Sequence, residues 1–163
     1  MAEPSARSVS LPVSEFAPVI NRKVWYAEGL QFECTQCGNC CSGAPGYVWV
    51  TLEDMEKIAD YLKMPFDDFT RTYVRRIGNR YSLTEQPNND CSFLTRTNGR
   101  TGCAIYPARP TQCRTWPFWN ENLKSRGAWN RASERCPGMC DTRAPRHELE
   151  HIEKCRQHPE SPR

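Results

Sequence analysis

A small, irregular α+β fold with two or three helices and short strands follows from three features of the sequence. The first is a thin apolar inventory: 38% of the 163 residues are hydrophobic and 25% are charged, so the core needs support from cross-links or bound metal. The second is a stretch with helical apolar spacing in the middle of the chain, set among short strand-like runs and turns. The third is ten cysteines, more than a chain of this size uses as ordinary small apolar side chains. Together they predict one domain whose elements are organised around cysteine-ligated metal.

The elements follow in order. Residues 1–21 are rich in Pro, Ser and Ala without a period and read as a flexible tail. The domain is expected over 22–158, with a disordered end at 159–163. Val24 to Phe32 has strand character. Cys34 to Gly46 holds four cysteines and three glycines and reads as a loop, followed by a strand-like run from Tyr47 to Val50. Thr51 opens the clearest helix, with Asp54 in the place of the usual Glu of a capping box. Leu52, Met55, Ile58, Ala59 and Leu62 fall on one face of it. Pro65 ends that helix and opens a second, striped by Phe66, Phe69, Tyr73 and Val74. Asn98-Gly99 is a strong turn signal, so Cys91–Leu94 and Cys103–Tyr106 read as the arms of a hairpin-like unit. Three prolines make 107–117 irregular, and a last helix is expected from Pro145 to Gln157.

Charge and hydropathy narrow the function. The net charge of +3 is too mild for nucleic acid or an anionic membrane surface, and no apolar run has the length of a membrane span. No basic stretch leads into an apolar one at the N-terminus, so a reducing cytoplasm is the expected compartment. There, clustered cysteines point to metal binding or redox chemistry rather than a disulfide framework. A nucleotide-binding glycine loop, a nucleophile elbow and the basic-aromatic surface of nucleic-acid modules are all missing from the sequence.

Cys34, Cys37 and Cys40 are spaced by two residues each, which lets a tight loop aim three thiolates at one centre. The spacing matches the first three ligands of a ferredoxin-type run, whose fourth cysteine is followed by Pro; Cys136-Pro137 fits that part. Cys41 adjoins Cys40 and suits a second centre or a spare thiol. Adding Cys91, Cys103 and Cys113 gives eight candidate ligands, enough for two complete four-thiolate sites, while seven with one bystander would make one site and part of another. Cys140 and Cys155 read as peripheral free thiols. The ligand chemistry is that of an iron–sulfur cluster of the 4Fe–4S kind or of zinc, the doubled spacing and Cys-Pro favouring the cluster.

These motifs in combination resemble one family. Cys34-x2-Cys37-x2-Cys40-Cys41, then Cys91-Ser92-Phe93-Leu94, the run Gly102-Cys103-Ala104-Ile105-Tyr106-Pro107-Ala108-Arg109-Pro110-Thr111-Gln112-Cys113-Arg114, and Cys136-Pro137-Gly138 resemble the YkgJ-type cysteine-cluster family of zinc- or iron-chelating domains. Some of its members carry iron–sulfur oxidoreductase descriptions, and flagellin lysine N-methylase has a similar cluster domain. The resemblance spans about Phe32 to Gly138 and implies metal binding by the matching cysteines. It does not define a reaction.

Three other features carry weaker readings. His147-Glu148-Leu149-Glu150-His151 fits H-E-x-x-H, the zinc-protease helix, but Lys154 and Gln157 stand where the longer pattern wants Gly and His, which favours a solvated C-terminal helix. Arg109, Arg114 and Trp116-Pro117-Phe118-Trp119 form either a substrate pocket or packing around the metal, the latter preferred. Arg71, Arg75, Arg76 and Arg80 are expected on a solvated face near the end of the second helix. Three functions therefore stand: an iron–sulfur protein with a redox or accessory-oxidoreductase role and an unidentified redox or protein partner, a non-catalytic zinc module, or a metal chaperone or store.

Overall fold

The computed structural model describes residues 24–158. Among them are seven short strands and six α-helical segments: β1 (Leu30–Gln31), β2 (Trp49–Val50), α1 (Leu52–Leu62), α2 (Phe66–Tyr73), β3 (Val74–Ile77), β4 (Arg80–Leu83), β5 (Leu94–Thr97), β6 (Arg100–Cys103), α3 (Thr111–Thr115), α4 (Asn120–Leu123), α5 (Arg126–Ser133), β7 (Arg146–His147) and α6 (Leu149–Gln157). The strands form three small antiparallel sheets, β1–β7, β2–β4–β3 and β5–β6. The fold is small and mixed α+β, with more helical segments than the two or three expected. The additions are the short α3, α4 and α5. The expected terminal segments, 1–21 and 159–163, lie outside the described residues.

α1 starts as its sequence dictates. The Thr51 side chain accepts from the Asp54 N–H, and Asp54 answers at the Thr51 N–H, closing the capping box. Met55, Ile58 and Ala59 are buried, whereas Leu52, in the first turn, is 60% exposed. α2 buries Phe69 and stops at Tyr73, because the chain turns extended at Val74 and enters the β3–β4 hairpin. Of the four arginines expected near the end of α2, only Arg71 is helical. Arg75 and Arg76 are on β3 and Arg80 on β4, where strand pairing overrides the helical spacing. Arg75 pairs with Glu85 and lies over Tyr47, and Arg80 lies over Trp49.

Asn98 and Gly99 both have positive φ, as a two-residue hairpin turn requires. The hairpin arms are β5 and β6, with Leu94 opposite Cys103, so they sit closer to the turn than the cysteine-bearing runs suggested. Strand structure in Val24–Phe32 is confined to β1, and the preceding residues form turns. The proline-rich 107–117 stretch is more ordered than expected: a 3-10 turn at Tyr106–Ala108 leads into α3, and Trp116–Pro117 is a cis peptide.

Two apolar clusters form the interior. One joins Val50, Met55, Ile58, Phe69, Leu83, Phe93 and Ile105 from α1, α2, the three-stranded sheet and the start of the hairpin unit. The other joins Tyr26, Phe118, Leu123, Trp129, Met139 and Ile152. Cys91 and Cys103 pack against the first cluster and Cys136 belongs to the second, so the cysteines bridge the two halves.

The C-terminal element differs from the expected helix. His147 is on β7, paired with Leu30, and Glu148 caps α6, so H-E-x-x-H does not lie on one helix. The pairing with β1 holds residues 146–147 extended. His147 Nε2 is 2.9 Å from the Phe32 carbonyl oxygen. Nor is α6 fully solvated, since Ile152 is completely buried against the second cluster.

Candidate metal centre

The Cys34–Cys41 loop is shaped by two left-handed residues, Gln36 and Gly38. Gly38 is required twice. Its φ of 80° suits glycine, and a Cβ there would lie 2.4 Å from Thr101 Cγ2 on β6. That contact presses the loop onto the hairpin. Gly38 then begins a 3-10 turn, with its carbonyl accepting from the Cys41 N–H at 2.9 Å and from Ser42 Oγ at 3.1 Å. The Cys41 carbonyl in turn accepts from the Cys91 N–H at 2.7 Å, which ties the loop to the next cysteine.

Each remaining cysteine is set by its own element. Cys103 ends β6 and Cys113 sits in α3. α3 is anchored from outside by two buried polar side chains. Asp54 accepts from the Thr111 N–H at 3.3 Å, and Gln112 clamps β2 by accepting from the Trp49 N–H at 2.7 Å and donating to the Tyr47 carbonyl at 3.0 Å. Cys136 follows α5. Its sulfur accepts from Trp116 Nε1 at 3.5 Å, and Gly138 behind it packs directly onto the Glu33 backbone.

All eight candidate ligands, Cys34, Cys37, Cys40, Cys41, Cys91, Cys103, Cys113 and Cys136, line one cavity of about 630 Å³. Cys140 and Cys155 do not. Cys40 lies near enough to Cys41, Cys91, Cys103 and Cys113 to raise the proton affinity of each, and Cys34 acts on Cys103. Cys37 instead acts on Cys136. Cys34, Cys37, Cys40 and Cys136, the ferredoxin-like quartet of the sequence, all line this cavity. Among the described residues, no three His, Cys, Asp or Glu side chains converge tightly enough for a single ion.

The thiols carry a charge problem. Burial pushes Cys113 well up, and the thiols of Cys91, Cys40 and Cys103 add to it, with Arg109 opposing. Burial also pushes up Cys91, Cys103 and Cys136. Cys40 and Cys41, 3.6 Å apart, share a hydrogen bond that holds Cys40 down to about 7 and drives Cys41 up. Ionising the group together needs compensating positive charge, which a metal supplies. The donor set fits such a group: soft sulfur ligands with N–H donors aimed at them. One donor is Trp116 Nε1. Another is Arg109, whose guanidinium lies 3.8 Å from Cys34 Sγ and 3.6 Å from the centre of the Tyr106 ring.

Sequence reasoning named Arg109 and Trp116 as packing around the metal, and both touch sulfur. It missed Tyr106, Asp54 and Gln112. Tyr106 was signalled by its three-residue spacing from Arg109. The roles of Asp54 and Gln112 depend on contacts 57 and 63 residues away, which no local pattern reveals.

No solved structure matches the chain. A curated relative, the uncharacterized protein MJ0661 of Methanocaldococcus jannaschii, is 38% identical over 93 residues, which is 57% of this chain and 48% of the relative. The chain therefore spans about half the length of that relative. The profile of the CxxCxxCC family, described as "Putative zinc- or iron-chelating domain", matches residues 33–141, from the residue before the first cysteine to the residue after Cys140. With well over half of its length matched, and with the signature cysteines turned into one cavity, the chain belongs to the CxxCxxCC family of zinc- or iron-chelating domains.

Proposed function

We propose that the cavity cysteines hold an iron–sulfur cluster, of the 4Fe–4S kind, and that the protein has a redox or accessory-oxidoreductase role. The observation that carries this is the disposition of the thiols. Eight cysteines line one open cavity, more thiol donors than a single tetrahedral ion takes. A polynuclear cluster spreads its ligands over several irons, whereas a lone zinc draws four donors to about 2.3 Å from one point. Cys34, Cys37, Cys40 and Cys136 are the first candidates to hold it, with Cys41, Cys91, Cys103 and Cys113 available to a second centre. When bound, the cluster supplies one-electron chemistry. The protein's part is to bury it, to direct the Arg109 and Trp116 N–H groups at its sulfurs, and so to tune its potential.

One observation favours zinc instead. Cys40 and Cys41 sulfurs lie 3.6 Å apart, close to the separation of two thiolates on one tetrahedral ion. That spacing gives a structural or partner-binding zinc module.

Purification without oxygen, followed by measurement of iron, acid-labile sulfide, zinc and the visible spectrum, separates the two. Iron and sulfide in matched amounts with broad visible absorbance are expected. A colourless protein holding zinc alone would overturn the redox reading. Cys37→Ser should lose bound metal, and Cys155→Ser should keep all of it.

A further inference from the structure

The cavity is more than a thiol cage. At about 630 Å³ it lies within the range of small-molecule sites, and part of its lining is cationic and aromatic rather than cysteine. Lys124 at the α4–α5 junction, Arg131 on α5 and Arg135 just past its end all line it. Ala128 and Ala132 lie among them and leave room. Trp116 and Trp119, edge to face with centroids 4.8 Å apart, stand beside them on the same wall.

The charge balance there is not that of the chain. The whole sequence has 22 cationic and 19 anionic side chains. Besides the cysteines, the cavity is lined by Arg109, Arg114, Lys124, Arg131 and Arg135 against Glu85 and Glu121, and Arg114 is already paired with Asp54 at 3.9 Å. Glu85 is already engaged by Arg75 and the Gly46 N–H. Arg109 is directed at Cys34 Sγ, while among the described residues the side chains of Lys124, Arg131 and Arg135 make no hydrogen bond to sulfur and no ion pair. All three are exposed to solvent and line the cavity, where an anion would meet uncommitted charged donors. Guanidinium groups match the two oxygens of a carboxylate or phosphate, and indole faces take a flat apolar body.

We propose that this wall binds a small organic anion, a carboxylate or phosphate on a planar body, beside the metal centre. The inference builds on the proposed function, because the ligand's position next to the thiols makes it a candidate substrate of that centre.

Titration of the full, metal-loaded chain with phenyl phosphate and with benzoate, followed by calorimetry and tryptophan fluorescence, tests it. Saturable binding at one site per chain is expected, with benzamide, the neutral analogue, failing to bind. The double variant R131Q/R135Q should lose about tenfold or more in affinity, as removal of charged hydrogen bonds predicts, with R131K retaining part of it. Iron, sulfide and zinc per chain and the thermal melt should be unchanged in these variants. Absence of saturable binding, equal affinity in the double variant, or binding of polyglutamate but of neither small anion would overturn the proposal, the last assigning the cations to an acidic protein. Anion binding by a parent protein free of iron and sulfide would sink the redox reading alone.

Discussion

Single residues decide how closely the two halves of the molecule approach the cavity. Gly138, buried behind Cys136, is the sharpest case: a Cβ there would lie 1.9 Å from the Glu33 carbonyl oxygen, on rigid backbone that itself accepts no side-chain adjustment. Gly138→Ala must push the Cys136 segment off the Cys34 loop, and overpacking of this kind costs about 1–3 kcal/mol or more. A lowered melting temperature together with lost metal is expected. Gly46→Ala, where nothing lies within 4 Å of the new methyl and φ is not positive, should melt like the parent. Asp54 is the second such residue. Its carboxylate caps α1 and also receives the Thr111 N–H, so Asp54→Ala should cost about 1 kcal/mol for the cap and loosen Cys113 besides. Faster alkylation of Cys113 in Asp54→Ala than in the parent, read by mass spectrometry, checks the second effect. The sequence made the cap legible because capping is local. It could not make the reach to α3 legible, because that depends on how α1 packs beside the 3-10 turn and α3.

At the scale of elements, local signals held where neighbours in sequence are neighbours in space and failed where pairing is remote. α1, the Pro65 break and the Asn98-Gly99 turn were all readable. β7 was not, since two residues become a strand only by meeting β1, more than a hundred positions earlier. That pairing takes His147 out of the helix and dissolves the protease-like motif. α6 itself is docked by a polar network as well as by Ile152. Tyr26 donates to Glu153 at 2.6 Å, and Arg156 grips Glu153 and reaches Asn120 at 3.0 Å. Burial, then the hydrogen bond to Glu153, pushes Tyr26 up to about 12. Burial works to raise Glu153, but the hydrogen bonds from Arg156, Tyr26 and Gln157 outweigh it and hold its carboxyl below the usual range. The signs give a plateau. Tyr26's contribution is complete below the free phenol value near 10 and is lost as pH rises toward about 12; Glu153's is present above the ordinary carboxyl range and is lost as pH falls through its lowered value. Tyr26→Phe should therefore melt lower than the parent at neutral pH, by about 1–3 kcal/mol for a bond to a charged acceptor. The gap should close as the melts are repeated toward pH 12.

For the whole molecule, the division into two apolar clusters matters more than the inventory of elements. Neither cluster is large, and the cysteines lie where they meet: Cys91 and Cys103 against one, Cys136 within the other. The spacing of the cysteines, the thin core and the two-residue repeats announced a metal domain before any fold was known. Which sulfurs share a centre was not announced, because Cys40, Cys91, Cys103 and Cys113 become neighbours only through the path of the chain between them. A metal bound across this junction is bound by the folded state alone, and its affinity adds to stability in proportion to how completely the unfolded chain lacks the site. Removing it leaves a cavity of about 630 Å³ lined in part by thiols whose ionisation burial opposes. Anaerobic treatment with a strong chelator should therefore lower the melting temperature and broaden the transition, and restoring the metal should reverse both. The loss should fall unevenly. Hydrogen exchange should rise first in the Cys34–Cys41 loop, in α3 and around Cys136, while α1, closed by its capping box, and α2, held by its buried Phe69, keep more of their protection. A metal-free protein that melts as cooperatively and at the same temperature as the loaded one would mean that the two clusters hold each other without it, and the cavity would then be a binding site built on a self-sufficient fold.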